Sequence, residues 1–479
     1  MAVVVRRARL GDAVAEIRVD GDRITEVAER VQRDPGDAVI DARGGSVIPG
    51  LHDHHLHVRA AAAARRSVAV GPDAVRDAAG FAAALQAAAR VQPADHWVRA
   101  VGYHDSVAGR LDSASLDAIV SDRPVRVQHR SGTLWTLNSA GLAAVRADEA
   151  DHPGIERGGY GRPTGRLWRM DSFLSERLGA STGFSAVRPS DLRALSLEAL
   201  AFGVTGWTDA TPQRPNAEAV ALANAVVSGD IGQRLHLMEP TELDDTTARL
   251  LDATAGVTVG PVKVLLSDAQ LPSLEKLTAW MAEAHQAGRP VAVHCVTRVQ
   301  LVLTLAALDQ AGSFPGDRIE HGAIVPGDLL GPMARAGLTV ITQSNFVAER
   351  GDQYLGEVDE GDLGDLWRGQ SLLDSGVTVA AGTDAPFGAL DPWAGVRAAT
   401  RRLTASGVQL GASEAVAERD ALRWWWGSGP RPGQPRTLEP GQPGDLCVLA
   451  ATTTESLAGD GPVPVMATVV GGQVLFSAS

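Results

Sequence analysis

The chain of 479 residues is 44% hydrophobic, enough to bury a large core and to build two or three structural units. Its 57 acidic residues outnumber 44 basic ones, and the basic residues fall singly or in pairs such as Arg65-Arg66 and Arg401-Arg402. No phosphate-tracking stripe results, which argues against a nucleic-acid partner, and no run approaches the roughly 18 apolar residues of a membrane span.

The opening MAVVVRRARLGD has neither the order nor the length of a secretory signal. Cys295 and Cys447 are too few and too far apart for a disulfide framework, so a reducing, cytoplasmic location is expected. Short strands are predicted over 2–5, 15–19, 24–28 and 38–41, with Asp20-Gly21 as a hairpin turn. The C-terminal end has the same texture: β-rich stretches at 445–450 and 465–475, the second broken by Gly471-Gly472, follow the linker-like RPGQPRTLEPGQPGD. Residues 1–48 and 430–479 are therefore expected to form one small discontinuous β-sandwich domain closed by both termini.

The middle repeats another unit, a short apolar strand followed by an Ala/Leu-rich helix that ends in Gly. Strands are predicted over 49–57, 203–209, 234–238, 262–267, 290–295, 318–323, 338–343 and 377–384. Eight such units imply an α/β fold, a (β/α)8 TIM-type barrel over 49–429. The gap of about 60–200 after the first strand is too long for one helix and reads as an insertion with its own core, including a strand over 124–129. The acidic segment 349–365, with four interspersed glycines, reads as a mobile loop that could act as a lid. The run Trp424-Trp425-Trp426 reads as a packed helix face.

Barrel enzymes carry their chemistry at the C-terminal ends of strands. Here the first strand ends in His55-Leu56-His57, the fourth holds Lys263, the fifth ends in His294, the sixth in His321 and the eighth in Asp384. At a spacing of two, His55 and His57 face one side of a strand and can reach one ion. His52 and His54 face the other side and are read as packing residues. Cys295 points away from His294 and is read as a small buried hydrophobe. Asp209, ending the second strand, is read as structural before catalytic.

The motifs PGLHDHHLH (49–57), DRPVRVQHRSGTLWTLNSAGL (122–142), GVTGWTDA (203–210), PVKVLL (261–266), VAVHC (291–295), RIEHGAIV (318–325) and LLDSGVTVAAGTDAPFGALDP (372–392) resemble the amidohydrolase superfamily. Within it they resemble the YtcJ-like, N-substituted formamide deformylase-like group, amidohydrolase family 3. The resemblance runs nearly end to end, through GDLCVL and TVVGGQVLF. It implies that His55, His57 and Asp384 hold a more buried divalent ion and His294 with His321 a second, both zinc. Lys263 would bridge them as a carbamate, the carboxylated lysine of a binuclear metal centre. The alternatives are a single metal and an ordinary lysine paired with Asp268. The implied reaction is cleavage of an amide-like C–N bond, N-acyl, N-formyl or cyclic, in a small-molecule substrate by a metal-activated hydroxide, with Asp384 as the catalytic proton shuttle.

The rival readings are a heterocycle deaminase, a carbamate or ester hydrolase and, from another class, a non-catalytic scaffold. Within the insertion, His104, His129, Arg130 and Trp168 are read as substrate-binding candidates, with Tyr103 beside them. The stretch after 122–129 has Gly132-Thr133 where similar chains carry Gly-His. The oligomeric state, including a homo-oligomer, is left open by the sequence.

Overall fold

The computed structural model describes residues 2–93, 96–179, 187–240 and 243–478. Two compact units emerge: one from residues 1–58 and 192–479, the other from Arg59–Asp191.

In the first unit the N-terminal strands form a four-stranded sheet in the order Arg23–Ala28, Ala13–Asp20, Val3–Leu10, Ala38–Asp41. Asp20 pairs with Arg23 across the expected hairpin. The C-terminal strands Gln473–Ser477, Val465–Val470 and Leu446–Leu449 form another sheet, completed by Val47–Pro49. This last strand was not anticipated, because three residues carry too little alternation to register as a period-two pattern. Val3, Val5, Ile17, Val19 and Ile24 from one sheet share a core with Val47, Leu446, Val448, Ala467 and Val469 from the other.

All eight strands expected in the middle are present, in two parallel sheets. Leu51–Leu56, Val204–Asp209, Arg234–Leu237 and Val257–Val259 make one; Val262–Val264, Val291–Cys295, Arg318–His321, Thr339–Thr342 and Thr378–Ala381 make the other. Val257–Val259 is an additional strand that the sequence reading passed over. The two sheets separate at Gly260-Pro261: proline has no N–H to donate, and Gly260 N bonds back to Leu237 O at 2.6 Å while Val262 N bonds forward to Pro290 O at 2.8 Å. At their other edges, Asp384 N donates to His55 O (2.7 Å) and His57 N to Ala385 O (2.8 Å). Leu51–Leu56, Val204–Asp209 and Arg318–His321 are buried along their whole length, as parallel strands covered on both faces require.

The approach of Leu51–Leu56 to the segment after Thr378–Ala381 depends on Gly382. A Cβ there would lie 2.5 Å from His55 N and 2.6 Å from His55 Cβ. The segment 349–365 is not a loop: it forms the helices Asn345–Glu357 and Glu360–Leu363. Its glycines mislead because Gly351 serves packing; a Cβ there would fall 2.5 Å from Thr404 Cγ2, while Phe346 and Val347 bury the same helix. The expected lid therefore has no basis. Trp424 and Trp425 are buried, but the run lies beyond the end of the helix Glu418–Arg423 instead of forming a helix face. Among the described residues no helix is long and apolar enough to cross a membrane.

In the second unit six strands form one sheet in the order Ile155–Arg157, Pro163–Trp168, Leu134–Leu137, Val125–His129, Val98–Tyr103, Val68–Ala69. Two apolar clusters, around Phe81, Leu85 and Leu116 and around Trp135, Leu142 and Leu167, give it a core of its own.

Two glycine substitutions separate close packing from simple flexibility. Gly382→Ala should lower unfolding free energy by about 1–3 kcal/mol, since backbone rather than a movable side chain blocks the methyl group. Gly356→Ala, in the last turn of Asn345–Glu357 with open space around it, should raise it by up to about 0.5 kcal/mol. Urea denaturation of both variants checks the pair.

Candidate metal centre

The five residues expected at strand ends and Lys263 come together in the first unit. His55 Nε2 and His57 Nε2 lie 3.6 and 3.4 Å from Asp384 Oδ1, and the three side chains offer ligand atoms within 4.8 Å of one another. The His321 ring centre is 4.7 Å from that of His55 and 4.5 Å from that of His294. Lys263 acts electrostatically on His55, His294 and His321.

Two of the rings are fixed from behind. His55 Nδ1 is in short contact with Glu320 Oε2, and Glu320 Oε1 accepts from Arg318 Nε. Burial would raise the Glu320 carboxyl, but Arg318, Lys263 and His55 together hold it well below its usual range. A carboxylate can only accept, so His55 Nδ1 carries the proton and Nε2 keeps its lone pair. His321 Nδ1 lies 2.7 Å from Gln343 Oε1, while Gln343 Nε2 donates to Ile341 O at 3.1 Å, which orients the amide. That again leaves Nε2 of the histidine free. Burial lowers the basicity of His55 to about 3, aided by Lys263, and holds that of His294 well below the usual imidazole range. Neutral imidazoles are the form that ligates.

Among the six candidate side chains, two buried polar atoms are left without hydrogen-bond partners: Asp384 Oδ1 and Lys263 Nζ. For Asp384 burial favours the neutral acid, yet the surrounding histidines outweigh it and keep the carboxylate ionised. An ionised oxygen that faces two ring nitrogens and makes no hydrogen bond fits a cation between them. Lys263 has a half-buried stem, but its Nζ is shielded, and burial brings it down to about 8. Backbone strain falls at the same place: Asp384 has φ 56° and His321 φ 72°, both in the left-handed region.

Glu320, Gln343 and Asp53 were missed by the sequence reading. Asp53 accepts from His55 N (3.1 Å), Thr383 N (3.0 Å) and Thr383 Oγ1, tying the His55 strand to the Asp384 segment. Burial pushes its carboxyl up to about 7 against those hydrogen bonds. A signal did exist, because a charge inside a strand covered on both faces demands a partner.

His52 and His54 stack on each other at 4.5 Å, and His52 Nε2 meets Thr208 Oγ1 at 2.9 Å, consistent with packing roles. Cys295 is buried, 3.3 Å from Thr304 Oγ1. In the second unit, the His104 and His129 rings lie 5.6 Å apart beyond the parallel strands Val98–Tyr103 and Val125–His129. Each Nδ1 is engaged locally, by Ser106 Oγ and by Ser131 Oγ, both at 2.8 Å. Arg130 N donates to Tyr103 O at 2.8 Å. Trp168 is 41% exposed, and its Nε1 donates to Glu156 Oε2 at 3.3 Å.

The Lys263 shift has a testable sign. Unfolded, the amine titrates near 10.5; folded, near 8, so between those values the unfolded chain holds more protons and stability rises with pH. The penalty is fully present below about pH 8. In chelator-treated protein, Lys263→Met should gain on the order of 3 kcal/mol over wild type at pH 7.5, a gain that fades towards pH 10.5. Parallel urea-denaturation profiles of the two proteins across this range would contradict it.

Residues 38–476 match the amidohydrolase family. N-substituted formamide deformylase of Arthrobacter pascens is 25% identical, over 93% of this chain and 91% of that one. The amidohydrolase YtcJ of Bacillus subtilis (strain 168) is 22% identical over 80% of this chain and 79% of that one. Among solved structures, an uncharacterized metal-dependent hydrolase from Pyrococcus furiosus superposes with a TM-score of 0.67 at 17% identity, over 89% of this chain and 93% of that one. The match over nearly the whole chain, with the strand-end histidines and Asp384 inside it, makes this protein a member of the amidohydrolase family, a hydrolase acting on carbon–nitrogen bonds other than peptide bonds.

Proposed function

We propose that the protein is a metal-dependent hydrolase that cleaves the amide-like C–N bond of a small molecule, of the N-acyl, N-formyl or cyclic amide type. The observation that carries this reading is the buried Asp384 Oδ1, ionised and without a hydrogen bond, between the ring nitrogens of His55 and His57. In this reading the two parallel sheets are the halves of a (β/α)8 barrel. The paired terminal sheets are its discontinuous β-sandwich domain, residues 1–48 and 430–479.

His55, His57 and Asp384 would hold one divalent ion, and His294 with His321 a second, with a carboxylated Lys263 shared between them. Zinc suits this set of nitrogen and oxygen donors. Ions bound there supply the Lewis acidity that acidifies water and polarises a carbonyl oxygen. The chain's own residues do the rest. Glu320 and Gln343 hold the His55 and His321 rings so that Nε2 of each faces inward. Lys263 Nζ, shielded and held near 8, is neutral in a far larger fraction at pH 7 than an ordinary lysine, which is the form that takes up carbon dioxide. Asp384, ionised at neutral pH, accepts a proton at its carboxylate from the attacking water and returns it to the departing nitrogen. His104, His129, Arg130 and Trp168 are proposed as substrate-side residues on the sequence reading, and Ala substitutions at the first three should raise KM with metal content unchanged.

Purified protein should carry about two divalent ions per chain by elemental analysis, and Lys263→Ala should lose at least one. Asp384→Asn should retain much of the metal yet lose about 10²–10⁴-fold in kcat on an N-acyl or N-formyl substrate found by screening, since an amide ligates but cannot take the proton. One ion per chain in both wild type and Lys263→Ala would remove the bridge. A fall of less than about tenfold for metal-loaded Asp384→Asn would assign the proton transfer elsewhere.

A further inference from the structure

We infer that Asp209, Arg214 and Glu239 form a buried ionic clamp that positions His57, so that the affinity of the metal centre depends on three residues that do not touch it. The inference rests on the reading of His57 as a ligand.

Asp209 ends the strand Val204–Asp209 and is fully buried. Its Oδ2 accepts from the N–H of Val58, the residue after His57, at 2.9 Å. Its Oδ1 accepts from Thr211 N at 2.9 Å, and Thr211 Oγ1 lies 3.4 Å from His57 Nδ1. One carboxylate thus holds both the backbone that carries His57 and the hydroxyl that faces its ring. With Nδ1–H directed at the Thr211 oxygen, the Nε2 lone pair is left toward Asp384 Oδ1, 3.4 Å away.

Behind Asp209 stands Arg214. Its Nη2 is 2.6 Å from Asp209 Oδ1 and its Nε 2.7 Å from Glu239 Oε1, with all three side chains at zero exposure. Pairing of the strands does not require this triad, because Ala210 N donates to Leu56 O at 2.8 Å and Met238 N to Asp209 O at 3.0 Å. Three fully desolvated ionisable groups, with burial pushing the Glu239 carboxyl up to about 7, are an expensive way to hold a loop, and apolar residues of similar size stabilise such a site at least as well. What the charges add is direction. Arg214, itself held by Glu239 through Nε, places one hydrogen bond on Asp209 Oδ1, and with it the two carboxylate oxygens serve Val58 and Thr211 at once. The same arrangement recurs behind the other rings, Glu320 behind His55 and Gln343 behind His321. His57 differs in being served through a hydroxyl and a distant ion pair.

The test is Co(II) titration of chelator-treated protein, read by visible d–d absorption with a competing chelator to set the affinity. Thr211→Val should weaken Co(II) binding by about 10- to 100-fold and change the band shape, with its apo-protein Tm close to wild type, whereas Thr211→Ser should restore both. Asp209→Asn should weaken binding to a similar degree. If it fails to fold, Thr211→Val carries the test, because it removes a hydroxyl without stranding a charge. Thr211→Val binding within about twofold of wild type with an unchanged spectrum would overturn the clamp. His57→Ala separates this from the underlying reading: Co(II) binding by His57→Ala like that of wild type would overturn the ligand role of His57 itself. Loss of binding in His57→Ala with none in Thr211→Val would leave the ligand role standing and remove only the clamp.

Discussion

A carboxylate that solvent does not reach, Glu320, lies between Arg318 and His55, and the centre depends on it. Taking a carboxylate out of water costs several kcal/mol even after relaxation, and that cost is offset only by a cation and good hydrogen bonds. Arg318 supplies the charge, and its Nη2 reaches His54 O at 3.2 Å, anchoring the pair to the strand that carries His55. His55 supplies the remaining hydrogen bond. Because the acceptor is an anion, the tautomer of His55 is settled by electrostatics rather than by chance rotation of a ring. The direction of its free lone pair follows from the position of a charge on a different sheet.

That dependence explains why two parallel sheets meet where they do. The His55 strand belongs to one sheet and Arg318–His321 to the other, so Glu320 acts across both. Asp53, one position along from His54, makes a second link by accepting three hydrogen bonds from His55 and Thr383. Gly382 permits the approach, since any side chain would strike the His55 backbone. Packing and polarity thus converge on one short stretch, and the geometry of His55, His57 and Asp384 follows from the joint instead of from any one strand.

Much of this was legible in the sequence, and the division between what was and what was not has a physical cause. His55, His57, His294, His321 and Asp384 could be read because each sits at or just beyond a strand end that local apolar periodicity locates, and Lys263 because it lies within such a strand. Glu320, Gln343, Arg214 and Glu239 could not, because their roles are set by partners up to 265 residues away, and pairing across strands leaves no periodic trace. The segment 349–365 was misread because glycine in an acidic stretch signals a loop, whereas Gly351 is there to admit Thr404. Tertiary packing overrode propensity in that case. The short strand Val47–Pro49 and the additional Val257–Val259 escaped because neither has enough residues to show alternation.

Two kinds of unfavourable feature meet at the centre. Asp384 and His321 both adopt left-handed backbone, at a cost of roughly 1–2 kcal/mol each for a residue with a Cβ. Beside them, Asp384 Oδ1 and Lys263 Nζ are buried without hydrogen bonds, each a further cost of a few kcal/mol by usual estimates. A chain selected for stability alone would relax the backbone and fill the space with apolar side chains, as the strands on either side do with Val291, Ile319 and Val340. The surroundings hold the strained residues in place instead: Phe387 N and Gly388 N both return to Asp384 O, and Gly322 follows His321 in the same left-handed region. Strain that neighbours enforce, and polar atoms left unsatisfied by protein, make sense together when a bound cation supplies the missing interaction. On that argument the folded chain is incomplete in energy terms until the centre is occupied, and ion binding and stability are one equilibrium.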